Sequence, residues 1–110
     1  MELKSLSDSD FQSTLNKCGL AFVDVYADWC GPCAQFEKVF RKVAEANQDY
    51  GFFKIDGEAN QHFREMIHIP TLPFVACFHQ GAYLRGESLT TSASLNQFIQ
   101  SVVKATHLSE

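Results

Sequence analysis

No apolar run of roughly eighteen residues occurs, so no helix of this chain is expected to cross a membrane. No basic stripe occurs either. Thirteen acids stand against nine bases, for a formal charge of -4, and that balance argues against a nucleic-acid partner. Repeats, linkers and low-complexity tracts are missing, and 110 residues hold one real hydrophobic core but not two. The opening Met1-Glu2-Leu3-Lys4-Ser5-Leu6-Ser7-Asp8 lacks the apolar centre of a secretory signal. Cysteines number four, at 18, 30, 33 and 77, too irregularly spaced for a disulfide-stapled secreted scaffold. These absences predict one domain over residues 1–110, monomeric, in a reducing cytoplasmic compartment.

What is present is a core. Hydrophobic residues make up 45% of the chain, ten of them phenylalanine, which is a folded composition. Residues 1–6 read as a short opening strand. Ser7, with Asp10 three later, offers a cap for a helix from Asp8 to Lys17 that buries Phe11 and Leu15. Leu20 to Tyr26 is apolar at nearly every position, as in a strand covered on both faces. A helix starting at the cysteines carries a buried stripe of Phe36, Val39, Phe40, Val43 and Ala44, with Glu37, Lys38, Arg41, Lys42 and Glu45 toward water. A strand at Phe52–Asp56 follows, then a helix from Ala59 to Ile67 with Phe63, Met66 and Ile67 inward. Phe74–Phe78 and Tyr83 onward pair as a hairpin about Gly81. A last helix, capped by Thr91 or Ser92, buries Leu95, Phe98, Ile99, Val102 and Val103, and the end from Thr106 to Glu110 is expected to fray. The fold class is α/β, a central mixed sheet of about five strands flanked by four helices.

Trp29-Cys30-Gly31-Pro32-Cys33 carries the chemistry. Placed between a strand and a helix, it puts Cys30 at the first helical turn, where backbone N–H groups lack internal acceptors. A thiolate there is favoured by those donors and by the positive helix end, so its pKa should fall. The thiolate is the nucleophile in disulfide exchange. Cys33 lies one helical turn on and can resolve a mixed disulfide. Gly31 permits a close turn, and Pro32 has φ preset for a first turn. One alternative stands beside this reading. A Cys-x-x-Cys pair also occurs in zinc sites, but tetrahedral zinc needs two more ligands, and Cys18 and Cys77 form no second close pair. The histidines at 62, 68, 79 and 107 share no metal-site spacing.

The Trp-Cys-Gly-Pro-Cys stretch, behind an apolar strand holding Asp24, resembles the active site of the thioredoxin family. The likeness runs back to Asp24 and Ala27 and forward to Gly81. It implies the thioredoxin fold and a protein-disulfide reductase that needs no cofactor. Its partners would be proteins bearing disulfides and an upstream reductase such as a thioredoxin reductase. A disulfide isomerase, or a partner-binding module that keeps the redox pair, is the alternative. Residue by residue, the likeness implies Cys30 as nucleophile, Cys33 as resolving thiol and Asp24 as buried proton acceptor and donor. Trp29, Gly31, Pro32, Pro70, Leu72 and Pro73 would form the substrate rim.

Asp24 among apolar neighbours is expected to have a raised pKa. The family places a cis proline opposite the cysteines. Ile69-Pro70-Thr71 carries the family's usual words, yet the spacing to Gly81 fits Pro73, and choosing Pro70 would leave Pro73 inside an internal strand. Pro73 is therefore the expected cis position. Three positions depart from the family: Ala34 where Lys or Arg is usual, Lys38 where a proline is common, and Phe52 in place of a lysine near the buried acid. Lys54 could stand in for that lysine only in part. Cys18 and Cys77 read as packing, and His68 and His79 as groups near the rim.

Overall fold

The middle of the molecule is β2, Leu20–Tyr26, buried at six of its seven positions. The computed structural model describes residues 2–108. Around β2 the chain sets β1 (Lys4–Leu6), α1 (Phe11–Asn16), α2 (Gly31–Glu45), β3 (Gly51–Asp56), α3 (Gln61–Met66), β4 (Phe74–His79), β5 (Ala82–Ser88) and α4 (Ser92–Leu108). The five strands form one sheet in the order β1-β3-β2-β4-β5. β3 pairs parallel with β1 and β2, β4 lies antiparallel to β2, and β5 closes the edge antiparallel to β4.

Alternation along β2 sorts the two faces. Leu20 and Phe22 join Phe36, Phe40 and Val43 of α2 and Leu95, Phe98 and Ile99 of α4 in one core. Ala21, Val23 and Val25 join Phe11 and Leu15 of α1 and Phe63 of α3 in the other. Each large apolar side chain so buried contributes about 1.5–3 kcal/mol. Phe22 anchors the first core, with its ring 5.3 Å from Phe52 and 6.1 Å from Phe98. Asp24 has the parity of Phe22 and therefore points to the α2 face.

Several expected boundaries move for identifiable reasons. α1 begins at Phe11, not Asp8, because Asp8 serves another helix: its carboxylate accepts the His62 and Phe63 N–H groups at 3.0 and 2.9 Å. The Ser7 hydroxyl bonds Ser9 rather than capping, while the Asp10 carboxylate accepts the Ser7 N–H at 2.8 Å. α3 is shorter than Ala59–Ile67 and leaves Met66 43% exposed instead of inward. The chain turns extended at Ile67, and that turn brings Ile67 into the core while Met66 stays on the outer side. Thr91 caps α4 with its hydroxyl on the Ser94 N–H at 3.1 Å. Fraying was expected from Thr106, but α4 continues through Leu108; residues 109 and 110 lie outside the described part, as does Met1.

The hairpin turn has Gln80 at φ 53° and Gly81 at φ 85°, a conformation suited to Gly81. Gly86 on β5 is constrained differently. A Cβ there would run into the Phe74 ring and stand 2.8 Å from the Val75 carbonyl oxygen. Gly86→Ala should therefore lower stability by about 1–3 kcal/mol. Urea titration should show an earlier midpoint with an unchanged slope.

Candidate active site

β2 ends at Tyr26, and Ala27, Asp28, Trp29 and Cys30 carry the chain into α2. Cys30 is the residue that starts the helix. It is extended, with φ -85° and ψ 103°, donates its N–H to the Ala27 carbonyl at 3.1 Å and accepts the Cys33 N–H at 3.2 Å. Pro32 falls in the first turn, where its missing N–H leaves nothing unpaired. Cys30 and Cys33 are joined in a disulfide, with Cα atoms 5.4 Å apart. Cys30 is 8% exposed and Cys33 4%, while Gly31 and Pro32 between them are open to solvent.

Ala27, Tyr26 and Leu72 pack against the two cysteines. The Leu72–Pro73 peptide is cis. Pro73 is buried, and its carbonyl accepts the Leu89 N–H at 3.3 Å. Beside the disulfide lies a cleft of about 520 Å³ lined by Trp29, Pro70, Leu72, Glu58, Arg64 and His68, among others. Trp29 is 70% exposed, and its indole N–H donates to Glu58 Oε1 at 3.1 Å. Arg64 ties the Gly57 and Glu58 carbonyls at 2.7 and 3.0 Å. Glu58 and Arg64 escaped the sequence reading, because no local motif marks a side chain that props a loop.

Asp24 is 1% exposed, and neither carboxyl oxygen has a hydrogen-bond partner among the described residues. Burial pushes its carboxyl up to about 7; the nearby Glu37 carboxylate adds to the rise and Lys54 opposes it. Lys54 stands directly opposite Asp24 in the β2–β3 register. Its ammonium is bonded to Glu37 Oε1 at 3.1 Å and lies 5.8 Å from the Tyr26 ring centre. Glu37 is thus not the wet-face charge its helical position suggested. Its side chain is only 25% exposed. The signal was available: Glu37 is four residues past Cys33, on the same side of α2.

The remaining candidates separate. His68 reaches the cleft, but His79 does not: it pairs with Leu20, at the end of the sheet away from the cysteines. Cys77 is fully buried, its thiol pushed up to about 12 by burial, and Cys18 is half-buried with its thiol also raised by burial. Neither is a thiolate site.

The Thioredoxin family model matches residues 2–104. The chain belongs to the thioredoxin family. It is 36% identical over 92 residues to putative thioredoxin 2 of Streptomyces coelicolor, covering 77% of this chain and 69% of that protein. It is 28% identical over 92 residues to the mitochondrial thioredoxin-2 of Schizosaccharomyces pombe, covering 81% and 69%. In structure it is similar to Plasmodium falciparum thioredoxin, with a TM-score of 0.83 at 23% identity over 90% of this chain and 98% of that one. The sheet with its four helices is the thioredoxin fold. This thioredoxin-family chain is a dithiol–disulfide oxidoreductase with protein-disulfide reductase activity. Its substrates are proteins bearing disulfides, and a reductase reloads it.

The buried acid gives a pH signature. An unfolded Asp ionises near its ordinary value of 3.8, whereas the folded one holds its proton to about 7. Between these values the folded state binds more protons, so stability falls as pH rises. Above about pH 7 the loss levels off, at up to about 4 kcal/mol. Asp24→Asn should abolish this slope and be more stable than the parent at pH 8, with little difference below about pH 4. Denaturant titrations across that range check it.

Proposed function

We propose that Cys30 is the attacking thiol, Cys33 the resolving thiol and Asp24 the group that takes and returns the proton of Cys33. In the reduced protein the Cys30 thiolate attacks one sulfur of a substrate disulfide. A mixed disulfide forms and one substrate sulfur leaves as a thiolate, taking a proton from solvent. Cys33 passes its proton to the ionised Asp24 carboxylate, attacks Cys30 Sγ and expels the second substrate sulfur as a thiolate, which takes up the proton that Asp24 gives back. Two electrons and two protons move to the substrate, and the pair ends as a disulfide. The observation that carries this reading is the Cys30–Cys33 disulfide at the head of α2, flanked by exposed Gly31, Pro32 and Trp29.

The supporting cast follows from position. Trp29, Pro70 and Leu72 share the cleft beside the disulfide, and we assign that cleft, with Gly31, Pro32 and the cis-linked Pro73, to the substrate chain. Asp24 suits proton exchange because burial brings its titration near neutrality. The working unit is one monomeric domain over 1–110 that acts free of membranes and nucleic acid. No helix among the described residues is long and apolar enough to cross a membrane. A cytoplasmic setting is favoured by the unpaired Cys18 and Cys77, which suit a reducing compartment.

Cys33→Ala should trap covalent mixed disulfides with insulin, and Cys30→Ala should trap none. Mass spectrometry of the adducts decides this, and capture by the Cys30 variant would reverse the two roles. Asp24→Asn should reduce insulin about 10-fold or more slowly near pH 7, with the deficit changing across the pH range. Rates equal to those of the parent at every pH would remove Asp24 from the mechanism.

A further inference from the structure

Glu37 and Cys33 line one cavity of about 200 Å³, together with Tyr26, Asp28 and Cys30. The two oxygens of Glu37 are divided between cations on different elements. Oε1 accepts from Lys54 of β3 at 3.1 Å, and Oε2 from Arg41 of α2 at 2.8 Å. Lys54 is the cross-strand neighbour of Asp24, yet its ammonium is committed to Glu37. Both Asp24 oxygens are left without a hydrogen bond among the described residues.

We propose that the Glu37–Lys54 pair is a positioning unit that sets how tightly Asp24 holds its proton. Glu37 binds the ammonium that would otherwise neutralise Asp24, and adds its own negative charge on the same side of α2. Both effects disfavour a second carboxylate nearby, and the low local dielectric strengthens them. The surrounding groups are few. α2 supplies Glu37 and Cys33, β3 supplies Lys54, and Tyr26 ends the same strand face, itself influenced by Asp56 and Asp28. β4 sets apolar Val75 opposite Asp24, and α4 brings apolar Leu95, Phe98 and Ile99 to this core. The pair is therefore the charged control on the acid. Its consequence for catalysis rests on the reading of Asp24 given above.

Carboxyl carbon NMR of Asp24 against pH, in full-length protein, tests the assignment together with the pH profile of insulin reduction. In Glu37→Gln the Asp24 midpoint should move down by at least about 0.5 pH unit. In Lys54→Gln it should move up by a similar amount. The double variant should fall between them. The two single variants have opposite expected signs, so either one that folds gives a reading. A midpoint unmoved by either substitution, with only stability altered, would overturn the proposal. A midpoint that moves while the rate profile stays fixed would support the pair's control of Asp24 and remove Asp24 from the exchange step.

Discussion

The seven residues of β2, Leu20–Tyr26, are held by neighbours on both edges and by helices on both faces, and this confinement fixes where α2 begins. Once β2 ends at Tyr26, the chain has four residues, Ala27 to Cys30, before α2 begins at Gly31. Cys30 falls on the starting position, where unpaired backbone donors gather and the helix field is most positive. Cys33 follows within the first turn, close enough to bridge. The reactivity of the pair is thus a property of the strand beneath it as much as of the five-residue motif.

The same strand carries the opposing cost. Asp24 sits on the face of β2 that buries Phe22, and its ionisation is penalised by that burial. An apolar residue there would pack without the penalty. The acid is instead kept neutral to near physiological pH, as the proton exchange proposed for it requires. Glu37 of α2 and Lys54 of β3 sit at the border between this core and solvent, each side chain about a quarter exposed. A buried acid that costs stability is a common feature of functional sites.

Much of this was legible in the residues, for physical reasons that also explain what was not. The near-continuous apolar run of β2 and the Phe36–Phe40 stripe of α2 leave few alternatives to a strand and a helix buried as found. The thiol pair is legible because its chemistry needs two cysteines one turn apart. Local capping was less so: Asp8 looks like part of its own helix, but its carboxylate caps α3 across a separation of 54 residues. Met66, the last residue of α3, was misplaced because the chain turns extended at Ile67 and Ile67 takes the inward place. Glu37 has the sequence appearance of a solvent-facing charge; its spacing from Cys33 places it on the side of the pair, while its bond to Lys54, the cross-strand neighbour of Asp24, needed the register of β3 against β2.

The central claim is that the start of α2 keeps the first sulfur of the pair ionised and reachable. Titrating Cys30 in the reduced protein, by thiolate absorbance and by the pH dependence of its alkylation, tests it most directly. The account expects an inflection at least about one unit below the roughly 8.5 of a free thiol. An inflection at or above that ordinary value would contradict it.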